Sequence, residues 1–153
     1  MSDAGKTRKR IEILDTTLRD GAQAEGVSFS VRDKLSIASV LDKLGVPLVE
    51  AGNPGSNPKD CEFFELAKET PLERATLVAF GATCHPGVAP NDDPQLRALA
   101  DAGTDTVTLF GKAWRLHIRE VLRTTEDENE RMIRDSVAWL VAQGKRVIFD
   151  AEH

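Results

Sequence analysis

Short apolar runs alternate with amphipathic stretches along the chain. Ile11 to Leu14 is the first run, interrupted by Glu12. Val31, Leu35, Ala38, Leu41 and Leu44 then recur at three- and four-residue steps, which puts them on one face of a helix. Ser30 with Asp33 provides an N-cap and an acidic first turn, and Gly45 stops the helix. Val46 to Ala51 predicts a second strand. Asn57-Pro58, a cap followed by proline at the first helical position, starts a helix to about Lys68 with Cys61, Phe64 and Ala67 on one side. Ala75 to Phe80 predicts a third strand. Asp93-Pro94 repeats the cap signal before Leu96, Leu99 and Ala100, and Gly103 closes that helix. Thr106 to Phe110 predicts a fourth strand, and Gly111 to Leu122 a helix around Trp114, Ile118, Val121 and Leu122. Thr125 with Glu128 is a capping-box pattern ahead of Ile133, Val137, Leu140 and Val141. Arg146 to Phe149 predicts a fifth strand, followed by Asp150-Ala-Glu-His153.

Successive strands begin roughly 30 to 40 residues apart, the size of a βαβ unit. Alternation at that period means α/β architecture with a parallel sheet and helical crossovers. Two arrangements fit: an open doubly wound sheet, or part of a (β/α)8 TIM barrel. Polar residues gather after the strands, at Asp15 to Gln23, Glu50 with Asn53, Thr83 with His85, Lys112, and Asp150 with Glu152, as a barrel requires. Five units are not eight, and the last strand has no helix to cover it. The expectation is therefore the first five β/α units of a TIM-barrel catalytic domain over residues 11–153, preceded by a loose polar tail over residues 1–10.

Composition narrows the chemistry. The chain has 153 residues, 41% hydrophobic and 29% charged, enough for one domain with a core. A net charge of -5 argues against nucleic-acid or anionic-membrane partners, and no apolar run approaches the roughly 20 residues of a membrane span. Cys61 and Cys84 lack zinc-ligand spacing, and with no signal peptide they point to the cytoplasm. No GxGxxG or GxxxxGK[ST] follows a strand, so a nucleotide-phosphate cradle has no support.

The candidate chemistry lies in Asp15-Thr-Thr-Leu-Arg-Asp-Gly-Ala-Gln23. Arg19 offers a rigid fork for a carboxylate or keto oxygen, and Asp20 a hard oxygen for a divalent cation. The same two residues also fit a surface ion pair of little energetic weight. Elsewhere the bland interpretations are the simpler ones. His117 is an exposed or core-edge helix residue, Trp114 and Trp139 are packing residues, and Lys112 is a solvated charge at a strand end. His85 lies in a strand-to-helix loop, and Cys84 has no basic neighbour in sequence to activate it.

That string resembles the metal-dependent Claisen-condensation enzymes, the 2-isopropylmalate, homocitrate and citramalate synthase family, which shares its barrel with hydroxymethylglutaryl-CoA lyase. Glu25 to Ser30, Pro54 to Asp60, Thr108-Leu-Phe-Gly-Lys112, Thr124-Thr125 and Phe149 to His153 look most like the citramalate synthase branch. The resemblance implies an acyltransferase that condenses acetyl-CoA with a 2-oxo acid, pyruvate in that branch, toward isoleucine, and that works as a homo-oligomer. It implies that Asp20 binds a divalent metal (Mg, Mn or Zn) and that Arg19 steadies the oxyanions. It also implies that Glu50 and Gln23 stand beside the metal site and that Asp150 and Glu152 approach the substrate. The family completes its metal shell with a His-x-His pair, whereas His85, His117 and His153 are isolated in this sequence. A carbon-carbon lyase on the same scaffold and a non-catalytic chain that associates through open sheet edges are the alternatives. The 153-residue chain alone is expected to give no acetyl-CoA-dependent release of free thiol. Turnover near about 10 per second, an ordinary enzyme rate, would contradict the incomplete-site interpretation.

Overall fold

The structure is a computed structural model and describes residues 11–153; the expected tail, residues 1–10, lies outside the described residues. Five strands, β1 (Leu14–Asp15), β2 (Leu48–Gly52), β3 (Thr76–Ala82), β4 (Thr106–Lys112) and β5 (Arg146–Glu152), form one parallel sheet in the order β1-β2-β3-β4-β5. A doubly wound sheet would reverse its order at a switch point. Strictly sequential order with every crossover helical is barrel order, so the sheet is the first five units of a (β/α)8 barrel.

The curl is visible in a single contact. Arg146 Nη2 at the foot of β5 reaches Glu12 Oε2 beside β1 at 2.6 Å. In a flat sheet, strands four places apart would stand about 19 Å from one another, beyond the reach of two side chains. The sheet must therefore bend round on itself.

The helices are α1 (Val31–Leu44), α2 (Pro58–Ala67), α3 (Pro94–Ala100), α4 (Arg115–Glu120) and α5 (Glu126–Ala142), and all but α4 start at the predicted cap signals. Ser30 and Asp33 make a reciprocal capping box on α1. Asn57 caps α2 through the Lys59 amide, and Asp93 caps α3 through the Gln95 and Leu96 amides. Alternation along each strand separates two faces. Val49, Ala51, Ala79, Val107 and Leu109 pack with Phe63, Phe64, Leu96, Leu99 and Leu140 in the layer between sheet and helices. The opposite face, carrying Glu50, Phe80, Phe110 and Lys112, looks into the barrel.

Three expectations are revised. The first strand is not Ile11 to Leu14: Ile11 and Ile13 are exposed, and pairing starts at Leu14 opposite Leu48. Pro47, just before Leu48, has no N–H to extend that ladder. The helix expected from Gly111 begins only at Arg115, because Phe110, Gly111 and Lys112 stay paired with β5. Asp150 and Glu152 lie within β5, which runs three residues beyond Phe149.

A buried ion pair fixes the loop after β2. Lys34 Nζ donates to the Ala51 carbonyl at 2.9 Å and pairs with Asp60, whose other oxygen accepts from the Asn53 amide at 2.8 Å. Gly52 sits at φ 157°, and a Cβ there would fall 2.3 Å from Asp60 Cγ. Because Lys34 and Asp60 are both buried, Asp60 cannot yield without breaking the pair. Gly52→Ala is expected to destabilise the fold by about 3 kcal/mol in urea unfolding; a loss below about 0.5 kcal/mol would contradict this packing.

Candidate active site

The turn after β1 is wound on one carbonyl. Thr16 O accepts from the amides of Arg19, Asp20 and Gly21 at 3.1, 2.9 and 3.1 Å. Asp15 braces the turn by accepting from the Thr17 amide at 3.0 Å and its hydroxyl at 3.2 Å. Leu18, fully buried, anchors it to the core. With Leu18 turned inward on one side, Arg19 is carried over the strand tips.

Arg19 is held from three sides. Its Nε donates to Glu50 Oε1 at 2.7 Å, its Nη1 donates to Asp20 Oδ1 at 3.1 Å, and its guanidinium carbon lies 3.9 Å from the centre of the Phe80 ring. Glu50 is 1% exposed. A β-bulge between Glu50 and Gly52 shifts the β2–β3 register there, a device that re-aims side chains beside sites. A guanidinium carries five N–H donors, and the two bonds above use two; Arg19 also lines a cavity of about 260 Å3 together with Leu18, Gln23, Phe29, Asn53 and Phe80. Stacking and the Glu50 bond fix the plane of the fork, so it meets an anionic or keto oxygen already oriented.

The proposed residues thus divide into two groups. Arg19, Asp20, Gln23 and Glu50 come together at the tips of β1 and β2. Asp150 and Glu152 stand on the inward face of β5, in register with Phe110 and Lys112 of β4. Lys112 is not a solvated charge: it is 18% exposed and ion-paired with Glu152. Asp20 is 63% exposed and bonds to Arg19. Among the described residues no three His, Cys, Asp or Glu side chains stand close enough to hold one metal ion.

Two aromatic residues were missed by sequence reasoning. Phe80 and Phe110 stack with ring centres 5.0 Å apart and planes at 14°, and they form the apolar floor beneath Arg19. The apolar runs around them gave no indication of which side chains face inward. The glycines that follow them, Gly81 and Gly111, back onto Leu99 and Ile133 of the helices, so strand alternation turns Phe80 and Phe110 to the opposite face.

The histidines are less isolated than the sequence suggests. His117 and His153 meet edge to face, ring centres 4.8 Å apart, with Trp114 against His117 at 4.7 Å. Trp114 is 48% exposed, so it packs on the histidine and not in the core. His85 contacts Asp93 Oδ2 through Nδ1 at 2.6 Å. Burial pushes the Asp93 carboxyl up, but the Leu96 amide and the His85 ring and amide outweigh it and hold the group below its ordinary value.

The loop carrying His85 is clamped from α5. Glu128 Oε1 accepts from the Gly87 amide at 2.7 Å, Arg131 grips Glu128 at 2.8 and 2.7 Å, and Ser136 Oγ accepts from the Cys84 amide at 3.0 Å. The capping box expected at Thr125 is therefore only half made: Thr125 caps the Glu128 amide, while the Glu128 carboxylate turns to the loop.

A family model described as HMGL-like matches residues 10–153. An (R)-citramalate synthase from Synechocystis sp. is 55% identical over 92% of this chain and 26% of its own length. One from Aquifex aeolicus is 48% identical over 95% and 28%. The chain thus spans about a quarter of the length of these curated relatives. Among solved structures, hydroxymethylglutaryl-CoA lyase from Pseudomonas aeruginosa superposes with a TM-score of 0.70 at 17% identity, covering 92% of this chain and 45% of that one, a likeness of fold.

Arg131 hydrogen bonds first, then the Gly87 amide, pull the Glu128 carboxyl down to about 2. A lowered folded-state pKa gives stability that is complete above the unfolded value, about 4.3, and fades as pH falls through the folded one. The melting-temperature advantage of the wild type over Glu128→Gln is expected to be constant above about pH 5 and to shrink toward pH 2. An advantage that grows on acidification would contradict the clamp.

Proposed function

The chain belongs to the HMGL-like family, and on that premise we propose that the protein carrying it condenses acetyl-CoA with pyruvate to give citramalate and free CoA. In this reaction the acetyl methyl loses a proton and its carbon bonds to the keto carbon of pyruvate. The keto oxygen becomes an alkoxide and then a hydroxyl, and water cleaves the thioester to release the thiol. Both the enolate and the alkoxide place negative charge on oxygen only along the reaction path, where a pre-oriented donor acts most strongly.

The observation that carries this proposal is Arg19, locked by Glu50 and Phe80 in the wall of a cavity at the strand tips. The (R)-citramalate synthase name of relatives at 55 and 48% identity supports pyruvate as the acceptor. In this proposal Gln23 binds substrate from the cavity wall, and Asp150 and Glu152 approach it from β5. The family resemblance also implies a divalent metal. Asp20 is the ligand that the resemblance assigns to it, and one exposed carboxylate does not make a coordination shell. Both cysteines are free thiols, which fits the cytoplasmic location we propose.

The experiment is thiol release from acetyl-CoA by the whole protein that carries these residues, compared across 2-oxo acids. Pyruvate is expected to be preferred over branched acids, and Arg19→Ala to lower kcat by about 10²- to 10³-fold. Thiol release that needs no 2-oxo acid, or full activity in Arg19→Ala, would contradict the proposal.

A further inference from the structure

We infer that Lys112 is a positioning residue for Glu152, and that the joined tips of β4 and β5 are built to hold this pair at the mouth of the site. The inference rests on the function proposed above for its activity readout, but the pair can be measured without it.

The pair sits in a fixed frame. Lys112 and Glu152 are register partners on parallel strands, so both side chains project from the same face. The frame is tied off beyond the strands, where the Ala113 amide donates to the Glu152 carbonyl at 3.1 Å. Asn129, 5% exposed in the first turn of α5, donates from Nδ2 to the Lys112 carbonyl at 2.9 Å. The backbone on each side of the pair is thus held by a hydrogen bond, and a helix side chain is buried to supply one of them.

The charges on this face require a cation at Lys112. Asp150 and Glu152 lie two residues apart in β5 and point the same way. Phe110 turns its ring toward the same space, with Lys112 Nζ 5.4 Å from the ring centre. Without the ammonium, the Glu152 carboxylate would face a second carboxylate and the electron-rich face of an aromatic ring, and would turn out toward solvent. With it, Glu152 is held at the wall that continues through Phe110 and Phe80 to Arg19. Arg19 with Glu50 and Lys112 with Glu152 are then two cation–carboxylate pairs at opposite ends of one stacked aromatic pair.

A kinetic double-mutant cycle on the whole protein separates positioning from stapling. Glu152→Gln is expected to lower kcat by about 10²-fold or more. Lys112→Met is expected to lower it by about 10²-fold with the KM for pyruvate nearly unchanged. Lys112→Arg should recover most of the loss. In the Glu152→Gln background Lys112→Met should cost little more, because its effect passes through Glu152. The exchanged pair Lys112→Glu with Glu152→Lys should regain thermal stability but not kcat. Recovery of kcat in the exchanged pair, or equal losses from Lys112→Met in both backgrounds, would overturn the inference. If the wild type releases no thiol with any 2-oxo acid, the proposed function fails. The wild type, Glu152→Gln, Lys112→Met and the double variant, read by unfolding, then test the pair, and absence of coupling between Lys112 and Glu152 overturns it.

Discussion

Glu50 stands in the middle of β2, an inner strand, with 1% of its surface exposed. A carboxylate taken so far out of water needs a cation at close range and in good geometry. Arg19 supplies it, across 31 residues of sequence, through a 2.7 Å bond from Nε. The rest of the site follows from that bond. It fixes which edge of the guanidinium is occupied and which is left for a ligand. It also lays the fork flat on Phe80, and Phe80 in turn stacks on Phe110.

Each loop on the rim is held by polar side chains set beside or beneath it. Asp15 braces the turn after β1. Asp60, backed by Lys34, holds the loop after β2 through the Asn53 amide. Asp93 and Glu128 hold the loop after β3 through the amides of His85 and Gly87. Asn129 holds the end of β4. At the opposite end of the sheet Asp42 accepts from the amides of Ala75, Arg74 and Glu73, which keep its carboxyl below the ordinary range and dock α1 against the start of β3. Such a rim is pre-organised, and on the function proposed above that leaves little ordering for substrate to impose and favours stabilisation of charge that exists only along the reaction path.

Much of this was legible in the sequence, for identifiable reasons. Helix starts were readable because Ser30, Asn57, Asp93 and Thr125 satisfy amides within three residues of themselves. A parallel sheet with helical crossovers followed from the spacing of the apolar runs, which left a doubly wound order and a barrel order both open, and the family resemblance pointed to the barrel. What was not legible depends on partners far along the chain. The Lys112–Glu152 pair spans 40 residues and His117 meets His153 across 36, and no local pattern in either segment announces the other. The inward stack of Phe80 on Phe110 was hidden for a different reason: strands buried on both faces are apolar throughout, so hydrophobicity alone does not say which face looks into the barrel. The ends of β1 and β5 were misplaced because ladder length is set by the neighbouring strand, which Pro47 limits in one case and Lys112 extends in the other.

The most direct test of the central claim is a crystal structure of the whole protein grown with pyruvate and an unreactive acetyl-CoA analogue. The expected result is a pyruvate oxygen within hydrogen-bond distance of an Arg19 Nη nitrogen, with Nε still on Glu50 and the guanidinium still flat on Phe80. Pyruvate bound away from the strand tips, or Arg19 swung off Glu50 and out of the rim, would contradict it.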